Sequence, residues 1–296
     1  MVLLFSYFMA RSVLREQVFK SMEVVVSRTR REVEITLADM NALASTLAAR
    51  PQLVQDLDAY LGGTRGRDAI VADLNGVLGS AFTNGSSSRG LIVATADGTI
   101  IASTGTRGAT PKVSEGVLDN IKPAHPITTF NLDSGGLVIT VAYPVTTPGT
   151  GQVTGAMVVQ NQSTALESEL SDTSGLGTTG RILLSDFFAG KVSVVSFRDA
   201  TQAGNTGGTA TRGTLLRLPL DSNLAPVKAA RGEKGEGEMN GLLGQVVASY
   251  DFIPGPEWGV TVTTDSGEAF SPIYKLRNVS IIVILVLLFG GSLPRT

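Results

Sequence analysis

The chain has 296 residues, room for two domains of ordinary size, and its 24 Lys+Arg against 26 Asp+Glu leave a formal net charge of −2. That balance excludes the basic face with which a nucleic-acid binder displaces counterions, so no nucleic acid is expected as a partner. Without Cys there are no disulfides, iron–sulfur clusters or thiolate zinc sites, and the single His, His125, argues against a multi-histidine metal site or a Ser-His-Asp hydrolase. Neither metal nor cofactor is expected. Only 17% of the residues are charged, against roughly 25% in an average soluble domain.

Residues 1–10, MVLLFSYFMA, are apolar, with no basic leader and no small-residue cleavage site. They read as the end of a first transmembrane helix. Residues 11–50 contain neither Gly nor Pro, and apolar or small side chains recur at Leu14, Val18, Met22, Val25, Thr29, Val33, Leu37, Met40, Ala44 and Leu47. That spacing averages about 3.67 residues, the period of a long amphipathic helix. Such a stalk can pack on its own domain, or pair with a second copy near the membrane, over different stretches. Pro51 opens a second helical stretch to about Leu61, and residues 67–82 form a third.

Strand patterns begin at Gly90. Residues 91–95 and 99–103 flank an Asp97-Gly98 turn, a β-hairpin signal. A weak helix is expected at 113–121, strands at 137–145 and 153–159, and a helix at 163–170. The plan then repeats: strands at 181–185 and 192–197, a Gly/Thr-rich loop at 204–213, and strands at 244–252 and 258–264. Two α+β units on antiparallel sheets are the expected fold class. Finally, residues 279–293 run uncharged through VSIIVILVLLF. They would make about 22 Å of helix, short of the ~30 Å hydrocarbon core, and are expected as a truncated second transmembrane helix rather than a buried core helix.

Chemical motifs fail on context. Gly175, Gly177 and Gly180 fit G-x-G-x-x-G, but a helix precedes them and a strand follows, the reverse of the phosphate-binding order. Glu167 with Glu169, and Asp56 with Asp58, stand two apart on helices and read as solvated charges. No catalytic set emerges, and the chain is not expected to be an enzyme.

The string Ser174-Gly-Leu-Gly-Thr-Thr-Gly-Arg-Ile-Leu-Leu-Ser185 resembles the entry to the membrane-proximal unit of double Cache sensor domains. Gln245 to Tyr250, the Trp258-Gly259-Val260 triplet and Glu268-Ala269-Phe270-Ser271-Pro272 resemble the end of that unit. Asp97-Gly98, Tyr143-Pro144-Val145 and Gly155 fit the first unit. The resemblance implies two PAS-like units on a stalk helix, flanked by transmembrane helices: 1–10 the end of the first span, 11–50 the stalk, 51–165 the membrane-distal unit, 166–270 the membrane-proximal unit, and 271–296 the second span. It implies an extracytoplasmic small-molecule sensor in the cell inner membrane, of the kind found in chemoreceptors, sensor kinases, cyclases and phosphatases. Ligand occupancy would pass to a cytoplasmic output domain, and a homodimer would form through the stalk. A ligand-free structural or adhesive surface domain is the competing reading.

In that family small ligands sit mostly in the distal unit. Amino-acid-binding members carry a Tyr…Arg-x-Trp cluster and an Asp after the last distal strand. Here residues 103–130 hold no Tyr or Trp, and Asn161 stands at the Asp position. An amide cannot neutralise an ammonium group, so a small organic acid is favoured over an α-amino acid. The expected ligand-binding residues are Lys112, His125, Thr129, Tyr143 and Asn161.

Overall fold

The structure, a computed structural model, describes residues 2–83, 88–105, 121, 125–133, 136–188, 190–198, 212–242, 244–275 and 278–279. The stretch free of Gly and Pro folds as one helix, α1 (Val2–Ala48). Its expected stripe is used within the chain: Met22, Thr29, Val33, Leu37, Met40, Ala44 and Leu47 are buried, and Leu14, Val18 and Val25 pack part-buried on the same core. Phe19 and Val26 widen the stripe, as a helix facing two sheets requires.

Helix α2 (Pro51–Leu61) starts with Pro51 in its first turn, where the missing N–H is not needed. Helix α3 (Arg67–Thr83) follows. Asp56 corrects the expectation of a solvated acid: it is 2% exposed and held by Arg65 Nη1 at 3.2 Å and Gln52 Nε2 at 3.1 Å.

The first sheet comprises β1 (Ser88–Thr95), β2 (Ile100–Gly105), β3 (Ile127–Asp133), β4 (Gly136–Thr146) and β5 (Val153–Gln162), all antiparallel in the order β2-β1-β5-β4-β3. In the β1–β2 turn Gly98 takes φ 89°, and Asp97 Oδ1 accepts the Thr99 N–H at 3.1 Å. Strand β3 was not anticipated. The helix expected at 113–121 lies outside the described residues except for Ile121. Gly155 is where β5 presses on β1: a Cβ there would stand 2.3 Å from the Ala94 carbonyl oxygen.

Helix α4 (Thr164–Ser171) is capped by the Ser163 hydroxyl, which accepts the Leu166 N–H at 3.3 Å. Its acids are not merely solvated. Glu167 Oε1 accepts the Leu137 N–H at 2.5 Å, and Glu169 receives Arg28 of α1 at 2.6 Å.

The second sheet holds β6 (Arg181–Phe188), β7 (Lys191–Arg198), β8 (Arg212–Leu218), β9 (Gly235–Asn240), β10 (Gln245–Ile253) and β11 (Trp258–Asp265) in the order β8-β7-β6-β11-β10-β9. Strands β8 and β9 were missed. The alternating exposure of β9 puts Glu236 and Glu238 on one side of a polar edge. Helix α5 (Ala225–Ala230) covers this sheet, and α6 (Ser266–Ala269) ends the fold, capped by Asp265. Helix α1 packs on β4 and β5 of the first sheet and on β10 and β11 of the second. The chain is therefore α+β: one long helix carrying two antiparallel sheets.

Candidate functional site

Alternate residues of a strand face opposite sides, so register assigns each side chain of the first sheet to a face. Leu91, Val93, Ile139, Val141, Met157 and Val159 fill the core shared with α1. The outer face carries two cross-strand rows. One runs Ile127, Ala142, Val158, Ile92; the other runs Thr129, Thr140, Gln160, Gly90. The first row belongs to an apolar cluster of Ile92, Ala142, Ala156 and Val158, with Ile121, Ile127 and Phe188 packed on it. The outer face thus carries alanines beside Ile and Val, where the inner face carries Leu, Ile, Met and Val.

The second row is polar and buried. Thr129 is 3% exposed, Thr140 3% and Gln160 7%. Gln160 Nε2 donates to Thr140 Oγ1 at 3.4 Å, while Thr129 Oγ1 is buried with no hydrogen-bond partner among the described residues. Leaving a buried hydroxyl unpaired costs about 1–3 kcal/mol, and Asn161 Oδ1, on the other face of the sheet, is buried without a partner in the same way. Neither row has a charged side chain.

The expected ligand set divides across the sheet. Thr129 is on the outer face, and His125 stands exposed just before β3. Lys112 lies outside the described residues. Tyr143 is in register with Met157 and Asn161 with Ile139, which puts both on the side of α1; Tyr143 packs part-buried on the main core. The structure does not bring these two together with Thr129. It brings Thr140 and Gln160 instead. Gln160 is the immediate neighbour of Asn161, and a step of one residue reverses the face. Both strands are buried on either side, so their apolar runs gave no alternation from which to read it.

Edge strand β3 also meets the second sheet. The Trp258 indole Nε1–H donates to the Thr128 carbonyl at 3.3 Å, and its ring stands edge-on to Phe130 at 5.0 Å and 84°. Trp258 is in register with Asp186, which is 4% exposed. Burial pushes the Asp186 carboxyl up to about 7, opposed by a hydrogen bond from the Phe130 backbone and reinforced by Glu257. So Thr128 and Phe130 hold the second unit while Thr129, between them, serves the outer face.

The Gly-rich turn at 175–180 does bind an anion, but an internal one. Gly175 and Gly177 take φ 83° and 82°, and the turn offers Glu268 the Thr178 N–H at 2.6 Å, the Thr178 hydroxyl at 2.8 Å and the Thr179 N–H at 2.8 Å, with the Thr179 hydroxyl closing the clasp. Partial burial opposes ionisation of Glu268, yet these donors outweigh it and hold the carboxyl at about 2. Among the described residues no group of three or more His, Asp or Glu is placed to hold a metal ion.

The sequence matches no family model and no curated protein. Solved structures do match. The ligand-binding domain of Mlp24 with asparagine is 17% identical, covering 89% of this chain and 98% of its own, with a TM-score of 0.53. The ligand-binding domain of the Campylobacter jejuni chemoreceptor Tlp3 in complex with 4-methylisoleucine is 14% identical over 86% of this chain and 94% of its own, with a TM-score of 0.50. The sensor domain of the V. cholerae histidine kinase DctB is 14% identical over 86% and 98%, with a TM-score of 0.50. The chain has the double Cache fold. Its two units are the β1–β5 sheet with its helices and the β6–β11 sheet, named distal and proximal after the expected domain order. Among the described residues no helix is long and apolar enough to cross a membrane; the expected second span lies almost wholly outside them.

Proposed function

We propose that this chain is the extracytoplasmic sensing region of a membrane-bound signal-transduction receptor, and that a small organic ligand binds on the outer face of the distal Cache unit. The unpartnered Thr129 hydroxyl, buried beside Thr140 and Gln160 and next to the apolar cluster of the outer face, carries this reading. A small organic acid is favoured over an α-amino acid: neither outer-face row has a carboxylate to pair with an ammonium group, and a desolvated ammonium without a counter-charge costs several kcal/mol. Lys112 would supply the cation and His125 the rim, while Tyr143 packs behind the sheet and Asn161 Oδ1, also buried without a partner among the described residues, lies on that same side. The apolar segments 1–10 and 279–293 would anchor the domain in the inner membrane, and α1 would carry ligand occupancy towards a cytoplasmic output domain.

A thermal-shift screen of small organic acids, amines, sugars and amino acids tests the proposal on the wild type, Thr129→Val and Gln160→Leu. One chemical class should raise the wild-type melting temperature with concentration, as RT ln(1+[L]/Kd) requires, and the shift should shrink in both variants. Stabilisation by no class would leave the structural or adhesive reading standing. Turnover of any compound would make the chain an enzyme.

A further inference from the structure

We propose that the proximal Cache unit holds a second ligand site, for a short branched-chain monocarboxylate, in the cavity beneath the start of α5. The cavity measures ≈ 150 Å³. Leu183 and Val246 form its floor and Leu224 and Pro226 its roof, with Leu242 of the β9–β10 turn closing one side. A cavity of about this volume with apolar walls accommodates a benzene-sized molecule.

Its polar end is built by register. Arg181 of β6 stands opposite Thr263 of β11, so both side chains lie on one face of the sheet, and both line the cavity. Neither side chain makes a hydrogen bond or ion pair with any described residue. Arg181 is thus a guanidinium without an ion-pair partner among the described residues at the polar end of the pocket, the group that takes a carboxylate through two parallel N–H donors. The nearby acids are already engaged. Asp265, two positions along β11, also lines the cavity, but it uses Oδ1 to accept the N–H groups of Gly267 at 2.7 Å and Glu268 at 3.2 Å, and Glu268 is clasped by Thr178 and Thr179. The site therefore presents a guanidinium with no ion-pair partner among the described residues, a carboxylate whose Oδ1 is already engaged, and an aliphatic slot. This inference stands apart from the distal site, since it uses none of that site's residues.

Three compounds on one carbon skeleton separate the possibilities: 3-methylbutanoate, valine, which adds an ammonium group, and 3-methylbutan-1-ol, which lacks the charge. Calorimetric titration of the folded chain should show 3-methylbutanoate binding and the other two much weaker. Arg181→Gln should weaken the acid by roughly tenfold or more, and Arg181→Lys by less. Gln160→Leu in the distal unit should leave its affinity unchanged. Circular dichroism melts confirm that each variant folds. No binding of the acid, equal binding of acid and alcohol, preferential binding of valine, or insensitivity to Arg181→Gln would each overturn the second site. Loss of binding in Gln160→Leu alone would place the acid in the distal unit.

Discussion

Trp258 and Thr128 join the two Cache units through one hydrogen bond, from the indole N–H of the proximal hairpin to a carbonyl on the distal edge strand at 3.3 Å. The bond is buried, and it lies one residue from Thr129, whose hydroxyl faces the other side of the same strand. Under the proposed function, a ligand that draws Thr129 outward would strain or relax this joint, the differential contact a ligand-driven shift requires.

Trp258→Phe keeps an aromatic ring against Phe130 but removes the donor and leaves the Thr128 carbonyl unpaired. The expected cost is about 1–3 kcal/mol in urea unfolding, with the larger consequence in coupling. A distal ligand should still bind, but should no longer protect β11 amides from hydrogen exchange. Unaltered protection of β11 in the variant would show that the joint is not a route between the units.

Asp186 makes the same joint sensitive to pH. Its carboxyl titrates at about 7 in the folded chain, against 3.8 when unperturbed, so between these values the folded state holds a proton that the unfolded chain has released. Stability must then fall as pH rises from about 4 to beyond 7, by up to about 4 kcal/mol from this one group. Asp186→Asn retains an oxygen for the Phe130 N–H without the charge. It should unfold at a higher temperature than the wild type at pH 8 and match it near pH 4. A variant less stable than the wild type at both values would contradict the buried-acid account.

Glu268 behaves in the opposite sense. Clasped by Thr178 and Thr179, its carboxyl is held at about 2 instead of 4.5, so its contribution is complete above 4.5 and is lost as pH falls towards 2. Glu268→Gln should cost about 1 kcal/mol at neutral pH, a figure discounted for partial exposure, and nothing near pH 2. Equal destabilisation at both extremes would mean that shape, not charge, fills the Gly-rich turn.

What the sequence disclosed follows from how strongly each element announces itself. Helix α1 was legible because 38 positions free of Gly and Pro repeat one period between Arg11 and Ala48, and α2 because Pro51 marks its first turn. The Asp97-Gly98 hairpin needed only its turn chemistry. Strand β8 hid behind a Gly/Thr-rich stretch, and β9 behind glycines and glutamates whose alternation is that of a polar edge. Gly259, noted only as part of a Trp-Gly pair, has a steric reason: a Cβ there would stand 2.5 Å from Ala229 Cβ and 2.5 Å from Ser185 Oγ, where α5 lies on β11. The placement of the expected ligand set was only partly legible: which face Thr129, Tyr143 and Asn161 occupy needs register, and the runs 137–145 and 153–159 are largely apolar on both sides.

The stalk bears on assembly. Its buried stripe is satisfied within one chain, but Val13, Val24 and Ile35 are 55%, 62% and 49% exposed and recur every 11 residues, three turns of the same helix face. If two stalks pair, they pair on that face. Single cysteines at Val13 and Val24 in this Cys-free chain should crosslink efficiently in membranes, and one at buried Met22 should not. Crosslinking at Met22 but not at Val13 or Val24 would reverse the assignment of faces; none at any of the three would remove the stalk dimer.

The most direct test of the central claim is methyl NMR on the chain titrated with the compound class that stabilises it. Methyl groups on the outer face of the distal sheet, Thr129, Ala142, Ala156 and Val158, should shift with saturation at the calorimetric Kd, while Val141 and Val159 on the α1 face and Ile182 and Val262 in the proximal unit should move less and uniformly. Shifts concentrated on Val141 and Val159, or confined to the proximal unit, would contradict a sensing site on the outer face of the distal Cache unit.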